Sequence, residues 1–313
     1  MRTVILGAGS LGSAIGGALS LAGNNVTLVA RSRAHVEAVN RSGLKMIADG
    51  MERIARPAAV TETLGLPPAE LLIVLVKSFA TKSAIEGARS LIGERTTVLT
   101  LQNGLGNEEV VKKLVPEDRV MYGCGNMGTE LPEPGVCVAK PSAGTENMYF
   151  GACVKNELTD RAGKYLEEKF AAGGLLPHFY EDVRPKVWRK ATSNSGFNTV
   201  CAVLRLKIKE VYDDPEGVEL VWSVWREASD VAAALGIPGI WEYMQEEMPR
   251  IVKGLGDYYP SMAQDTQAHR QTEVDSLTGA ISMFGRKVGI PTPTCDILTR
   301  EIKAIQANYE RQY

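Results

Sequence analysis

The sequence predicts an α/β chain: a doubly wound sheet at the N-terminus, followed by an all-helical C-terminal domain. Three observations carry this. Short apolar runs alternate with helical patterns over the N-terminal half. A glycine-rich string sits at the first strand–helix junction. After about Glu181 the periodicity is helical throughout.

The elements follow in order. Thr3-Val4-Ile5-Leu6 is a short β-branched run closed by Gly7, and Ser10 to Leu21 carries small and apolar residues at helical spacing. Gly23-Asn24-Asn25 stops that helix ahead of a second strand, Val26 to Ala30. Leu71 to Val76 and Thr96 to Leu101 read as two more strands. Runs apolar on both faces suit a parallel sheet covered by helices. From about Val120 to Gly151, Gly and Pro become frequent, and Val136–Ala139 and Met148–Phe150 read as antiparallel strands closing the first domain. Leu158 to Phe170 is an amphipathic helix ended by Gly173-Gly174. The later helices are expected at Val187–Leu204, Gly217–Leu235, Trp241–Leu255, Thr272–Val288 and Thr294–Tyr309, with breakers at Pro215, Gly236-Ile237-Pro238, Tyr259-Pro260 and Gly289-Ile290-Pro291. A boundary near residue 180 is expected, giving domains 1–180 and 181–313.

Composition narrows the function classes. Hydrophobic residues make up 44% and charged residues 23%, with a formal net charge of −2, so no basic footprint for nucleic acid is expected. The five cysteines are an odd count with no Cys-x-x-Cys pair, and His35, His178 and His269 lie far apart. Neither a disulfide framework nor a metal site is expected. The densest apolar run is too short to span a bilayer, and the N-terminus enters a strand at once, without a signal-peptide pattern. A soluble, cytoplasmic protein with no membrane association is the expectation. The helical C-terminal half is compatible with a homodimer, although no exposed stripe argues for one.

Gly7-Ala8-Gly9-Ser10-Leu11-Gly12 is G-x-G-x-x-G between a strand and a helix, with a second strand after it. In that context it reads as the dinucleotide-binding turn of a Rossmann-type domain. Gly7 permits the tight turn, Gly9 the approach of a pyrophosphate, and Gly12 close helix–strand packing. The pyrophosphate is expected at the helix N-terminus, where free N–H groups and the dipole favour an anion. At the end of the second strand a carboxylate would read the ribose hydroxyl of NAD. This chain has Arg31-Ser32-Arg33 instead, and a guanidinium suits a 2′-phosphate, so NADP(H) is expected. Ser32 also reads as a helix N-cap, and the two readings are compatible. Lys77 and Asn103 end later strands and are placed to face the cofactor; Asn103-Gly104 reads equally as a plain turn.

Lys190, Asn194 and Asn198 recur every four residues, on one helix face, among apolar or small neighbours. Two Asn in a helix interior work against propensity and point to a site. A polar helix face at a domain boundary is the other reading. Ser261 to Asp265 and Thr272 to Asp275 are polar segments at a loop–helix junction, where Asp265 and Thr272 read as caps. Spacing alone does not select Glu273.

Taken in this order over nearly the whole chain, the segments resemble the ketopantoate reductases (2-dehydropantoate 2-reductases). They are Gly7–Gly12, Arg31, Val76-Lys77, Gln102 to Gly106, Lys190-x-x-x-Asn194-x-x-x-Asn198, Pro260-Ser261-Met262-x-Gln264-Asp265 and Arg270-x-Thr272-Glu273-x-Asp275. The resemblance implies an NADPH-dependent reduction of 2-dehydropantoate to (R)-pantoate, a step towards coenzyme A. It implies Lys190 as the proton donor to the ketone oxygen and Glu273 beside substrate and lysine. Asn194, Asn198 and Ser261 would bind the substrate hydroxyl and carboxylate, Asn103 would sit at the nicotinamide end, and Lys77 near the adenosine side.

Two positions depart from the family pattern. Ala191 stands where leucine is usual, and Thr278 stands where asparagine is usual, which leaves the substrate open. Trp222, Trp225, Trp241 and Tyr243 read either as a differently shaped pocket wall or as core. The alternatives are a paralogue acting on another 2-oxo acid, a ketone or an imine, and a non-catalytic NADP(H)-sensing protein.

Overall fold

The computed structural model describes residues 1–141 and 146–311, which fold as two compact units. The first comprises Met1–Gln102 and Asn107–Val183; the second comprises Asn103–Gly106 and the chain from Arg184 onward.

The first unit contains, in chain order, β1 (Thr3–Leu6), α1 (Ser10–Leu21), β2 (Val26–Val29), α2 (Arg33–Ser42), β3 (Leu44–Ala48), β4 (Met51–Ala55), β5 (Ala58–Val60), β6 (Ala69–Val74), α3 (Thr81–Gly87), β7 (Ile92–Thr100), α4 (Asn107–Lys112), β8 (Val120–Gly125), β9 (Met127–Glu133), β10 (Val136–Pro141), β11 (Met148–Ala152), α5 (Glu157–Ala172) and β12 (Pro177–Phe179). Eight strands form one sheet in the order β12-β11-β8-β7-β6-β1-β2-β5. Its neighbours run parallel except β11 against β8. The chain leaves β1 on one side through β2 and β5, then returns to the other side through β6, β7 and β8. That reversal places a topological switch between the carboxyl ends of β1 and β6.

Strand alternation divides the buried side chains between two cores. Ile5, Leu28, Leu71, Ile73 and Leu99 point to the face covered by Ile15 and Leu19 of α1 and Leu166 and Phe170 of α5. Val4, Leu6, Leu72, Val74 and Val98 point to the face covered by Ile85 of α3 and Val111 of α4. Burial on both faces explains why these strands read as unbroken apolar runs. Each such side chain stabilises the fold by about 1.5–3 kcal/mol relative to exposure.

The region after Val120 departs from the expected pattern. Both anticipated strands form, but they belong to different sheets. Met148–Ala152 pairs antiparallel with β8 in the main sheet. Val136–Pro141 joins a separate four-stranded sheet of order β4-β3-β10-β9, pairing antiparallel with β9 and parallel with β3. The β3–β4 hairpin of this sheet turns on Asp49-Gly50, both at positive φ. An Asp-Gly pair between strands is a hairpin signal, but β4 is mostly exposed and lacks an apolar run.

The second unit is helical: α6 (Arg184–Leu204), α7 (Ile208–Asp213), α8 (Pro215–Ala234), α9 (Ile240–Leu255), α10 (Ser261–Gln267), α11 (Thr278–Val288) and α12 (Pro293–Ala307). α6 packs on α8, α9, α10 and α12. Pro215 opens α8 at its first turn, with Asp214 as N-cap accepting from the Gly217 N–H at 2.6 Å. The helix expected from Thr272 begins only at Thr278. Val274–Ser276 is a 3₁₀ turn, and the Thr272 N–H is taken by the Gln306 side chain. The Thr272 hydroxyl accepts from the Val274 N–H at 3.4 Å, at the start of that turn. Asp265 lies inside α10, buried, and its carboxylate accepts from Arg270 Nε at 2.9 Å. Among the described residues no helix is long and apolar enough to cross a membrane.

Candidate functional site

The turn after β1 needs glycine for two reasons. Gly7 has φ +104°, and a Cβ there would lie 2.5 Å from the Val76 nitrogen. At Gly12 a Cβ would lie 2.3 Å from the Gly7 carbonyl oxygen, so α1 could not sit this close to β1 with any other residue. Gly9 is different. It is exposed, and a Cβ would meet nothing within 4 Å, which leaves an open face beside the loop. The loop's own N–H groups are partly spent: Ala8 donates to Val29 and Gly9 to Gly7, each at 2.9 Å. The first bond of α1 runs from the Ser13 N–H to the Gly9 carbonyl at 2.8 Å. The N–H groups of Ser10, Leu11 and Gly12 precede it, at the positive end of the helix dipole. This loop borders the switch between β1 and β6.

Lys77 lies at that same switch, half-buried, at the start of the 3₁₀ turn Ser78–Ala80 that follows β6. Sequence reasoning missed what holds this loop. The buried Gln102 side chain donates to the Val76 carbonyl at 2.6 Å and to Thr81 Oγ1 at 2.8 Å, and accepts from Thr100 Oγ1 at 2.8 Å. Arg31 follows β2 and is exposed. Ser32 caps α2 by accepting from the His35 N–H at 3.2 Å, so the capping reading and a free Arg31 side chain coexist. No carboxylate is paired with Arg31 or Arg33 among the described residues.

In the second unit, α6 is buried on several sides by Val187, Trp188, Ala191, Phe197, Val200 and Cys201. Lys190 and Asn194 are half-buried, and Asn198 is 8% exposed. The line of Lys and Asn is therefore not a solvated stripe. Asn198 Nδ2 donates to Ser261 Oγ at 3.2 Å, joining the α6 face to the first residue of α10. Glu273 is half-buried, and its carbonyl accepts from both the N–H and the Oγ of Ser276, each at 3.0 Å. Ser276 in turn anchors the Asn103–Gly106 segment. Its carbonyl accepts from the Leu105 N–H at 2.7 Å and lies 2.2 Å from where a Cβ on Gly104 would be. Asn103 thus belongs to the same unit as Glu273, Lys190, Asn194, Asn198 and Ser261, while Gly7–Gly12, Arg31 and Lys77 share the other.

The aromatic segment divides between core and surface: Trp225 is buried, whereas Trp222, Trp241 and Tyr243 are half-buried. Trp225 is fully buried against Phe197 and Trp222. Trp241 and Tyr243 are covered by the guanidinium groups of Arg226 and Arg189, 5.2 and 4.4 Å from the ring centres. Thr278 is 0% exposed and its hydroxyl meets that of Thr299 at 2.8 Å. This departure from the family pattern is therefore answered inside the helical core.

The comparisons agree with this layout. A model of ketopantoate reductase PanE/ApbA matches residues 3–154, and a model of the C-terminal part of the same family matches residues 182–306. The chain is 30% identical to a 2-dehydropantoate 2-reductase of Streptococcus pyogenes over 98% of both chains. It is 32% identical to one of Halobacterium salinarum, over 98% of this chain and 99% of that one. Among solved structures, a ternary complex of D-mandelate dehydrogenase with NADH and anilino(oxo)acetate superposes with TM-score 0.88 at 29% identity, over 100% of both chains. A PanE/ApbA family ketopantoate reductase of Ralstonia eutropha superposes with TM-score 0.86 at 26% identity, over 99% of this chain and 100% of that one. The chain is an oxidoreductase acting on CH–OH groups, and it belongs to the ketopantoate reductase family.

Proposed function

We propose that the chain reduces 2-dehydropantoate to (R)-pantoate with NADPH. The observation that carries this reading is the Asn198–Ser261 hydrogen bond, which joins two of the family's segments and involves the helix that carries Lys190. Full-length similarity to the 2-dehydropantoate 2-reductases supports the same assignment.

The residues of the first unit suit a dinucleotide phosphate. The open side of Gly9 admits a pyrophosphate, the leading N–H groups of α1 can receive it, and the exposed Arg31 offers a bidentate fork to a 2′-phosphate. Lys77 is assigned to the adenosine side and Asn103 to the nicotinamide end. Bound NADPH supplies the hydride. Lys190 supplies positive charge where negative charge grows on the ketone oxygen, and gives that oxygen a proton. Glu273 keeps the ammonium oriented. Asn194, Asn198 and Ser261 hold the substrate hydroxyl and carboxylate without adding charge.

A second reading is reduction of a bulkier 2-oxo acid with NADH. It is favoured by the full-length superposition on D-mandelate dehydrogenase with NADH bound. The test is kcat/KM for 2-dehydropantoate and for aryl 2-oxo acids, each with NADPH and NADH. Preference for 2-dehydropantoate with NADPH is expected. Turnover confined to the aryl acids with NADH would replace the first reading by the second.

A further inference from the structure

His35 lies in the first turn of α2, two residues beyond Arg33, and is only 3% exposed. Its ring is bonded on both edges. Nδ1 lies 3.1 Å from the Gly135 N–H, in the turn between β9 and β10, and Nε2 lies 3.1 Å from Ser13 Oγ on α1. A backbone N–H can only donate, so Nδ1 must be unprotonated and Nε2 must carry the hydrogen. The Ser13 hydroxyl, accepting from Nε2, is then free to donate to the Ala8 carbonyl at 3.4 Å. Donation therefore runs from the Gly135 N–H to His35, from His35 to Ser13 and from Ser13 to the Ala8 carbonyl, and only the neutral Nε2–H tautomer completes the chain.

Ala8 is the middle residue of the glycine turn. Its N–H is held by Val29 at the end of β2, and its carbonyl by Ser13. The backbone N–H of His35 meanwhile closes the Ser32 cap, which orients the segment carrying Arg31 and Arg33. We propose that His35 is a positioning residue for dinucleotide binding: its neutral ring ties the glycine turn to the Arg31–Arg33 segment, and its protonation releases that tie. The proposal rests on the reading of Gly7–Gly12 as the dinucleotide turn.

The surroundings leave an imidazolium unsupported. α1 has no titratable group, and neither does β5, which also packs on α2. On the β9–β10 hairpin Glu130, Glu133 and Lys140 are exposed, with Lys140 paired to Glu130 at 3.3 Å, and burial pushes the Cys137 thiol up to about 12. On its own segment Arg31, Arg33, Glu37 and Arg41 are all exposed. Burial holds the His35 ring below its ordinary value of 6.5. The folded protein then binds fewer protons than the unfolded chain just below that value. The contribution is complete above 6.5 and is lost as pH falls below it.

The test is direct titration of NADPH binding to the full-length protein, by nicotinamide fluorescence, from about pH 8 to about pH 5.5. Wild type should weaken towards acid. Ser13→Ala should raise Kd by about 2–10-fold at pH 8 and raise KM for NADPH with kcat unchanged. His35→Gln supplies a non-titrating donor and acceptor. It should bind within about threefold of wild type at pH 8 and lose most of the acid-side weakening. Wild-type affinity and an unchanged acid limb in both variants would overturn the proposal alone. Absence of dinucleotide binding by wild type would overturn the underlying reading with it.

Discussion

The Gln102 side-chain amide donates to the Val76 carbonyl at 2.6 Å, across the carboxyl ends of β7 and β6. Gln102 is 5% exposed, and its amide also donates to Thr81. The bond fixes the peptide immediately before Lys77. Gln102→Ala leaves the Val76 carbonyl and a buried Thr81 hydroxyl short of a partner, at a cost of about 1–3 kcal/mol. The expected outcome in chemical denaturation is a lower midpoint with an unchanged slope. Dinucleotide KM should rise while KM for the oxo acid moves less. A KM change confined to the oxo acid would show that this loop does not serve the cofactor.

Lys190→Ala should lower kcat by about 10²–10⁴-fold if the ammonium is the proton donor. NADPH affinity should change far less, because Lys190 is assigned to the ketone oxygen and not to the dinucleotide. Asn198→Ala should act differently. It removes the partner of Ser261 and should raise KM for the oxo acid by about 10-fold, with kcat less affected. Steady-state kinetics on both variants separates the roles. Equal losses in kcat and KM for both would mean that α6 is needed only for folding.

Legibility from sequence followed the range of the interactions concerned. α6, α8, α9 and α12 are marked by local apolar periodicity and by Pro or Gly at their ends, so they were readable. α11 begins six residues later than the periodicity from Thr272 implies, because the Gln306 side chain takes the Thr272 N–H from 34 residues away. The polar helix face was visible because two Asn mid-helix oppose propensity. The bonding roles of His35 and Gln102 are not legible in sequence, because their partners lie up to 100 and 26 residues away and neither forms a local pattern.

Arg31→Ala should weaken NADPH by about tenfold and leave NADH within about twofold, since the guanidinium would meet only the 2′-phosphate. Arg31 is exposed, so thermal midpoints should coincide with wild type. Equal losses for both nucleotides would place the phosphate-reading group elsewhere. The neighbouring Arg33 would then be the next substitution to measure.

Thr278 and Thr299 form a closed pair, 0% and 9% exposed, with hydroxyls 2.8 Å apart between α11 and α12. Either Thr→Val alone strands one buried hydroxyl and should cost about 1–3 kcal/mol. The double substitution removes both polar groups at nearly constant volume and should recover much of that loss, giving a coupling energy in a double-mutant cycle. Thr278→Asn restores the residue usual in the family but inserts a larger polar group into a filled space, and should destabilise by a similar about 1–3 kcal/mol. Substrate preference should not move in any of these variants, because Thr278 is spent on the core. A shift in kcat/KM between 2-dehydropantoate and aryl 2-oxo acids in Thr278→Asn, at unchanged stability, would instead make position 278 a determinant of substrate choice.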